Sequence, residues 1–403
     1  MKHALLALVA LALTATVAHA DSLNCRLVGS YDTPGNAYGV AFSGGYAYVT
    51  EVETGLRIID VANPQSPTEV GHCYTPGEAY GVAVSGNYAY VAGKDFGLRI
   101  IDVTSPQSPT EVGHYDTPGE AYGVAVSGNY AYVADMDSGL RIIDVANPQS
   151  PIEAGYYITP GQVFGVVTAG NHAYVSDQTS GLRIIDVTNP QSPTEIGYYV
   201  TPGNAYGVAV SGNYAYVTAE DSGLRIIDVT NPQSPTEAGY YDTPGLALGL
   251  TISGNYVYVA DQTFGLRIIN VTSPRSPTLA GYYNDVTGVA MGVSVSGKYA
   301  YVTNGQAGLQ IVEFLVPGIE EGRQPMANGL RPTATVIRGV LMIGDRGPKT
   351  GDRAELLDAS GRKVLDIRSG ANDVSRLAPG VYFISERGTK NEEPRTMRIV
   401  IQH

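Results

Sequence analysis

The string Gly55-Leu56-Arg57-Ile58-Ile59-Asp60 decides the fold, because it recurs along most of the 403-residue chain. Further copies begin at Gly97, Gly139, Gly181 and Gly223, and diverging copies follow at Gly265 (GLRIIN) and Gly308 (GLQIVE). The interval is 42 residues five times and 43 residues once. Self-similarity at a fixed period of this length is typical of propellers and solenoids, so the sequence predicts a repeat architecture.

Each unit contains four predicted β-strands. In the first unit, residues 37–43 alternate large and small side chains, and Gly44-Gly45 forms a hairpin turn to residues 46–50. Residues 56–61 and 68–74 are the third and fourth strands. The segment NPQSP at 63–67 separates them, because its prolines donate no backbone hydrogen bond. Four antiparallel strands per repeat predict a propeller blade.

The two ends of the array favour a closed ring over an open stack. The first three strands occur seven times, and so does the fourth, but the first copy of the fourth strand (25–33) precedes the first blade. No fourth strand follows the last third strand at 308–315. The N-terminal segment can therefore complete the last blade and remove the free edges. The sequence predicts an all-β, seven-bladed β-propeller closed by an N-terminal strand.

The recurring GLRIIDV core at this period resembles the LVIVD-repeat family of bacterial surface β-propellers, over residues 25–315. The Trp-Asp and Gly-His signatures of the WD40 family, which has a similar period, do not occur. The resemblance implies the propeller fold and a location at the cell surface. It implies no catalytic residues, because the family has no settled activity.

The N-terminus has the pattern of an export signal. Lys2 and His3 precede an apolar run at 4–17, and Ala18-His19-Ala20 follows as a small-x-small cleavage site. This pattern predicts a secretory signal peptide over residues 1–20 and a mature chain that begins near Asp21. The apolar run is too short for a membrane span, so we expect no transmembrane segment.

The composition changes after residue 317, which predicts a second domain. Residues 21–317 carry 10 Lys and Arg against 27 Asp and Glu, whereas residues 318–403 carry 14 against 11. A linker at 318–329 joins the propeller (21–317) to a small β-sandwich at 330–403. Its predicted strands are 334–343, 354–357, 363–367, 380–385 and 396–401.

This second domain resembles the C-terminal (Por) sorting domain of type IX secretion substrates. The matching stretches are ELLDASGRKV at 355–364, LAPGVYFI at 377–384 and the basic-apolar end at 395–401. The resemblance implies type IX-like secretion machinery as a partner, and a secreted or outer-surface location. The alternative is an accessory β-domain that binds carbohydrate or packs on the propeller.

Charge and cysteine content exclude several classes of function. The formal net charge is −13, which argues against a nucleic-acid partner, because a phosphate-binding surface needs clustered Lys and Arg. Two cysteines, Cys25 and Cys73, form neither a disulfide framework nor a four-thiolate zinc site, although they leave one disulfide open. No two histidines have metal-ligand spacing.

A catalytic or binding residue in a ring of near-identical blades should break the repeat. The arginines at Arg57 and its five equivalents obey it, so we expect each to pair within its own blade, with a carboxylate such as Asp60 or Glu69. The second-strand tyrosines, Tyr46 and Tyr48 in the first copy, obey it as well and are expected to fill volume between blades. We predict no catalytic residue and no cofactor.

The loop between the second and third strands does vary from blade to blade. Variable loops above a rigid repeated scaffold are where recognition usually occurs. The seven loops contain one lysine and nine carboxylates, which we call the predicted acidic rim. Its members are Glu51, Glu53, Asp95, Asp135, Asp137, Asp177, Glu220, Asp221 and Asp261. Such a rim could bind Ca²⁺ or dock a cationic partner, or it could simply be solvated.

The sequence therefore predicts a secreted or cell-surface, non-enzymatic binding scaffold for an unknown protein or glycan. An extracellular hydrolase or lyase acting on carbohydrate is the alternative, with paired carboxylates such as Glu51 and Glu53 or Asp135 and Asp137. A purely structural spacer is a third interpretation. The near-identity of the blades weighs against an enzyme, since a single active site requires local asymmetry.

Overall fold

The computed structural model describes residues 22–284 and 288–315 in full, and the backbone of seven strands between residues 334 and 401. The predicted signal peptide and linker lie outside these residues. The chain divides into two compact units, Met1–Glu321 and Gly322–His403.

The first unit is a ring of seven antiparallel blades. Strands β1 (Ser22–Leu23) and β2 (Cys25–Tyr31) precede the first complete blade. Blade 1 contains β3 (Ala37–Ser43), β4 (Tyr46–Glu51), β5 (Gly55–Asp60) and β6 (Thr68–Cys73). Blade 2 contains β7 (Val82–Ser85), β8 (Tyr88–Ala92), β9 (Leu98–Asp102) and β10 (Thr110–Tyr115). Blade 3 contains β11 (Gly123–Ser127), β12 (Tyr130–Ala134), β13 (Leu140–Asp144) and β14 (Ile152–Tyr157).

The remaining blades repeat this order. Blade 4 contains β15 (Gly165–Ala169), β16 (His172–Ser176), β17 (Leu182–Asp186) and β18 (Thr194–Tyr199). Blade 5 contains β19 (Val208–Ser211), β20 (Tyr214–Thr218), β21 (Leu224–Asp228) and β22 (Thr236–Tyr241). Blade 6 contains β23 (Leu250–Ser253), β24 (Tyr256–Ala260), β25 (Leu266–Asn270) and β26 (Thr278–Tyr283). Blade 7 contributes β27 (Gly292–Ser296), β28 (Tyr299–Thr303) and β29 (Leu309–Phe314).

The recurring motif is the third strand of each blade, and its composition explains the position. In blade 1, Leu56, Ile58 and Ile59 are fully buried, because this strand lies inside the sheet and packs against blades on both sides. The leading glycine, Gly55, has a φ of 91°, and the equivalent glycine is left-handed in every other blade. Glycine adopts this conformation without steric cost, which is why the motif begins with it.

The predicted closure of the ring is confirmed. Strand β2 pairs antiparallel with β29, with Leu27 opposite Val312, and gives blade 7 the order β2-β29-β28-β27. The amide of Ala37 in blade 1 donates to the carbonyl of Gly305 in blade 7 at 3.0 Å. Strand β1 was not predicted: it adds a fifth strand to blade 6, outside β26.

The hydrophobic core lies between blades, not within them. One cluster joins Tyr48, Leu56 and Ile58 of blade 1 to Val91 and Ile101 of blade 2, and similar clusters recur around the ring. The second tyrosine of each second strand is 2–5% exposed, as expected for a residue that fills volume between blades. No helix in the described part of the chain is long and apolar enough to cross a membrane.

The second unit contains seven strands in two sheets. One sheet has the order β30-β31-β34, from β30 (Ala334–Ile337), β31 (Val340–Ile343) and β34 (Gly370–Asp373). The other has the order β33-β32-β35-β36, from β32 (Ala354–Asp358), β33 (Lys363–Ile367), β35 (Gly380–Glu386) and β36 (Arg395–Ile401). The single strand predicted at 334–343 is a hairpin of two strands, and β34 was not predicted.

Candidate binding face

The loops between second and third strands share one end of the propeller, which we call the loop face. They follow one burial pattern: the first residue is buried, the second half-buried and the third exposed. In blades 2–7 the second loop residue pairs with the next blade around the ring. In blade 2, for example, Lys94 exchanges two backbone hydrogen bonds with Ala121 of blade 3, at 3.1 and 3.0 Å.

This pattern corrects the predicted acidic rim, which assumed that all nine carboxylates are exposed. Glu51, Asp135, Asp177 and Asp261 occupy the first loop position and are fully buried. They are buried because the turn that enters the same blade covers the end of the second strand. The exposed members of the predicted rim are Glu53, Asp95, Asp137 and Asp221, and Glu220 is half-buried.

Each buried carboxylate fastens that incoming turn to its blade. Asp135 accepts hydrogen bonds from the hydroxyl of Thr117 at 2.5 Å and the amide of Gly119 at 2.9 Å. Its Oδ2 lies 3.7 Å from Nε of Arg141. The same arrangement recurs at Glu51, Asp177 and Asp261, so these carboxylates act as structural clamps.

The arginines of the motif pair within their own blades, as predicted. Arg57 binds Glu69 at 3.0 Å and Glu51 at 2.6 Å, whereas Asp60 instead accepts from the amide of Ala62. These arginines are buried or nearly so, and each described one has a carboxylate partner. They are therefore not a ring of free anion receptors.

The pKa of the clamp carboxylates shifts in opposite directions in different blades. Burial alone would raise the pKa of Glu51, but hydrogen bonds from Thr54, Arg57 and Gly35 outweigh it, and the pKa lies below its usual value. For Asp135, Asp177 and Asp261, burial is the dominant influence and raises the pKa.

The paired-carboxylate sites of the hydrolase alternative are not assembled. In each suggested pair the first residue is buried and the second exposed: Glu51 is 0% exposed beside exposed Glu53, and Asp135 is 0% exposed beside exposed Asp137. A fully buried carboxylate cannot reach a substrate. Within the described residues, no group of three His, Cys, Asp or Glu side chains is placed to share a metal ion, calcium included.

Some carboxylates of the loop face accept hydrogen bonds from neighbouring amides. The amide nitrogen of Gln162 donates to Asp137 at 3.0 Å, and that of Asn204 donates to Glu220 at 3.0 Å. Asp95 and Asp221 lie at the exposed third position of their loops. The loop face therefore presents oriented carboxylates.

A ring of aromatic side chains in the centre of the propeller was missed by sequence reasoning. Equivalent aromatic residues lie at or just before the first strand of blades 1–5: Tyr38, Tyr80, Tyr122, Phe164 and Tyr206. Neighbouring rings have centroid separations of 4.3–4.9 Å, and the hydroxyls of the first and last hydrogen-bond each other across the channel. Recurrence of an aromatic residue after Ala37 and its equivalents was the available signal.

Glu78 links the aromatic ring to the loop of blade 2. The ammonium group of Lys94 lies 2.9 Å from Glu78, which also accepts from the hydroxyl of Tyr80 at 2.7 Å. These two hydrogen bonds lower the pKa of Glu78. The two cysteines, Cys25 and Cys73, are free thiols.

The fold and this face define the class of protein: a closed seven-bladed β-propeller with variable loops on one face. The model of the LVIVD repeat matches seven times, over residues 34–75, 76–117, 118–159, 160–201, 202–243, 244–285 and 287–313. The chain belongs to the LVIVD-repeat family.

Solved structures with low sequence identity share the architecture. The β-propeller domain of Myceliophteria thermophila Cps50 (Swd1) is 14% identical with a TM-score of 0.60, covering 72% of this chain and 99% of that chain. The computationally designed Ika8 protein is 10% identical with a TM-score of 0.55, covering 72% and 99%. The RRP9 WD40 repeats are 11% identical with a TM-score of 0.56, covering 72% and 97%. None of the curated proteins matches this chain in sequence.

Proposed function

We propose that this protein is a non-enzymatic binding scaffold, exported to the cell surface or the medium, whose partner contacts the loop face. The proposed partner is a protein or a glycan. The second unit is proposed to be a type IX-like sorting domain that the export machinery recognises.

The proposal rests on where the sequence varies from blade to blade. The strands and the core between blades repeat almost unchanged, whereas the half-buried second loop position is Val52, Lys94, Met136, Gln178 and Glu220 in blades 1–5. Variable side chains on loops that a rigid scaffold positions are typical of recognition surfaces. The burial of Glu51 and Asp135 removes the main support for the hydrolase alternative.

Two quadruple variants of equal charge test the loop face. The loop-face variant carries E53Q, D95N, D137N and D221N. The control variant carries D60N, D102N, D144N and D228N, at the opposite ends of the third strands. Asparagine is tolerated at the control position, because Asn270 already accepts from the amide of Thr272 there at 2.9 Å.

Immobilised wild type and both variants are exposed to the medium and envelope fractions of the producing organism. We expect one bound component to be retained by the wild type and the control variant, and to be lost from the loop-face variant. Equal retention by all three proteins would place binding elsewhere. If the wild type retains nothing, the scaffold function is wrong.

Export is tested separately, by the intact mass of the native protein from medium, outer surface and lysate. We expect an external species that begins at Asp21 and ends within 317–329, because the tail would be removed after sorting. A full-length external species would mean that the second unit remains and has another role. Absence of any external species would contradict export.

A further inference from the structure

An open cavity of about 430 Å³ lies at the outer rim of blade 1, where β6 is flanked by Tyr31 of blade 7 and by the linker of blade 2 at 107–109. Its polar lining comes from Tyr31, Glu69, His72, Gln107 and Ser108. Small-ligand sites are typically concavities of about 300–1,000 Å³ with a few convergent polar groups, so this one has the size of a single sugar unit.

The cavity coincides with a break in the repeat. Blades 3–6 have tyrosine at the position of His72, and in blade 3 the ring of Tyr156 lies over Arg141, 4.5 Å from its guanidinium carbon. In blades 4–6 the equivalent distance is 4.6–4.8 Å. The smaller imidazole of His72 instead turns towards Glu69, with its Nδ1 3.1 Å from Oε1 of the carboxylate. The substitution therefore leaves room where blades 3–6 have a tyrosine ring; blade 2 shares the histidine, as His114, but not the cavity lining.

The polar groups of the cavity are positioned and electrically balanced. Glu69 accepts from Arg57 at 3.0 Å and from the hydroxyl of Tyr31 at 3.0 Å, in addition to its contact with His72. The carboxylate therefore has a cationic partner within hydrogen-bond distance. A mixture of hydroxyl, amide and imidazole groups suits a neutral ligand whose own hydroxyls both donate and accept.

An exposed aromatic side chain follows the strand that lines the cavity. Tyr74 is 68% exposed, more than any other large hydrophobic side chain of the described residues. It follows His72 by two residues and is the first residue after β6, which ends at Cys73. Blades 2–5 have Asp116, Ile158, Val200 and Asp242 at this position. Tyr74 therefore breaks the repeat at the same place as the cavity.

We propose that this cavity and Tyr74 form a site for a neutral hexose unit of a glycan. The ring hydroxyls of the sugar would bind the polar lining, and its apolar face would stack on Tyr74. The site is separate from the loop face, so the two surfaces can be tested independently.

Three single variants test the site in the full mature chain. H72Y restores the residue that blades 3–6 use and should fill the cavity without harming the fold. Y74A removes the stacking surface. H114Y makes the same change as H72Y in blade 2, away from the cavity, and is the matched control.

The measurement is saturation-transfer NMR with the methyl glycosides of glucose, galactose, mannose and N-acetylglucosamine at millimolar concentration. We expect transfer to at least one sugar for the wild type and H114Y, affinity weaker by about tenfold for Y74A, and loss of transfer for H72Y. Melting curves confirm that each variant is folded. Absence of transfer from the wild type to all four glycosides, or equal transfer with H72Y, would overturn the proposal and leave the loop-face scaffold standing.

Discussion

At the scale of single residues, two alternative positions supply a carboxylate to the arginine of the third strand, and each blade uses one of them. In blades 1, 3, 4 and 6 the first loop residue supplies a carboxylate, such as Asp135 to Arg141. Blades 2 and 5 have Gly93 and Ala219 there, and their arginines bind Asp116 at 2.9 Å and Asp242 at 3.3 Å instead. Arg99 also binds Glu111 at 3.3 Å, so the exchange preserves a second carboxylate beside the buried guanidinium.

This exchange predicts a compensating pair of substitutions in blade 2. D116N should lower the free energy of unfolding by about 1 kcal/mol, a modest value because the side chain of Asp116 is 66% exposed. Adding G93D should recover most of the lost free energy of unfolding, because the new carboxylate would occupy in blade 2 the position that Asp135 has in blade 3. Chemical denaturation of the single and double variants measures this coupling. D95N, on the exposed tip of the same loop, is the control and should change nothing. Additive effects of D116N and G93D would contradict the exchange.

The clamps also predict opposite pH dependences for two similar substitutions. The pKa of Glu51 is lowered in the folded state, so its contribution to stability is present above the unfolded pKa and is lost as the pH falls through the folded pKa. The pKa of Asp135 is raised, so its contribution is largest at acid pH and declines as the pH rises through the unfolded pKa towards the folded one. The cost of E51Q should therefore shrink between pH 7 and pH 3, and the cost of D135N should grow.

Melting temperatures of the wild type, E51Q and D135N across this pH range test the prediction. D137N, an exposed neighbour in the same loop as Asp135, is the control for general charge effects. Parallel pH profiles for the two clamp variants would contradict the opposite pKa shifts of Glu51 and Asp135.

Residue types alone could not separate the clamps from the exposed rim. The sequence predicts nine carboxylates on variable loops, but burial depends on the turn that enters the same blade from the preceding one. Gly119, for example, donates its amide to Asp135 from 16 residues earlier. Such a contact has no local signature. The repeat did hold one signal for the clamps, because the first loop position is acidic in four blades.

At the scale of elements, the fourth strand of each blade contains a bulge where the next blade approaches. In blade 2 the register shifts between Glu111 and Gly113. A Cβ added at Gly113 would lie 2.0 Å from the backbone carbonyl oxygen of Pro148, in the linker of blade 3. The linker thus requires glycine at the bulge, which explains why glycine recurs there.

This contact predicts that G113A is destabilising by about 2 kcal/mol or more, because the clash is with backbone and the two blades must move apart. G93A is the control. Its Cβ would lie no closer than 3.4 Å to any neighbour, which is an ordinary contact. Urea denaturation should show a lower midpoint for G113A and an almost unchanged one for G93A. Equal midpoints would mean that the linker adapts freely.

Strand positions were predictable to within a few residues, because the period aligns seven copies of each. The main difference concerns the first strands, which were expected to begin at Ala37 and its equivalents. In blade 2 the strand begins at Val82, since the preceding residues are held by the hydrogen bond from Tyr80 to the carbonyl of Ala92 and do not form a regular ladder. The strand period does not encode such irregular pairing.

At the scale of the whole molecule, stability depends on closing the ring. Ala37, Val49 and Ile59 of blade 1 form one buried cluster with Leu309 and Ile311 of blade 7, so the first and last blades share a core as any neighbours do. This arrangement was predictable, because counting strand copies showed that the missing fourth strand precedes the first blade. The pairing of Ser22–Leu23 with blade 6 was not predictable, because a segment of two residues is too short to show a strand pattern.

Closure predicts that deleting residues 22–31 lowers the melting temperature by about 10 °C or more, because blade 7 loses its outer strand and β29 becomes an exposed edge. Deleting only residues 22–23 is the matched control. It removes the short fifth strand of blade 6 but keeps β2, so the melting temperature should fall by only a few degrees. Size-exclusion chromatography should also show self-association of the longer deletion alone, through the unpaired edge of β29. If both deletions melt like the wild type and remain monodisperse, the ring does not depend on its N-terminal strand.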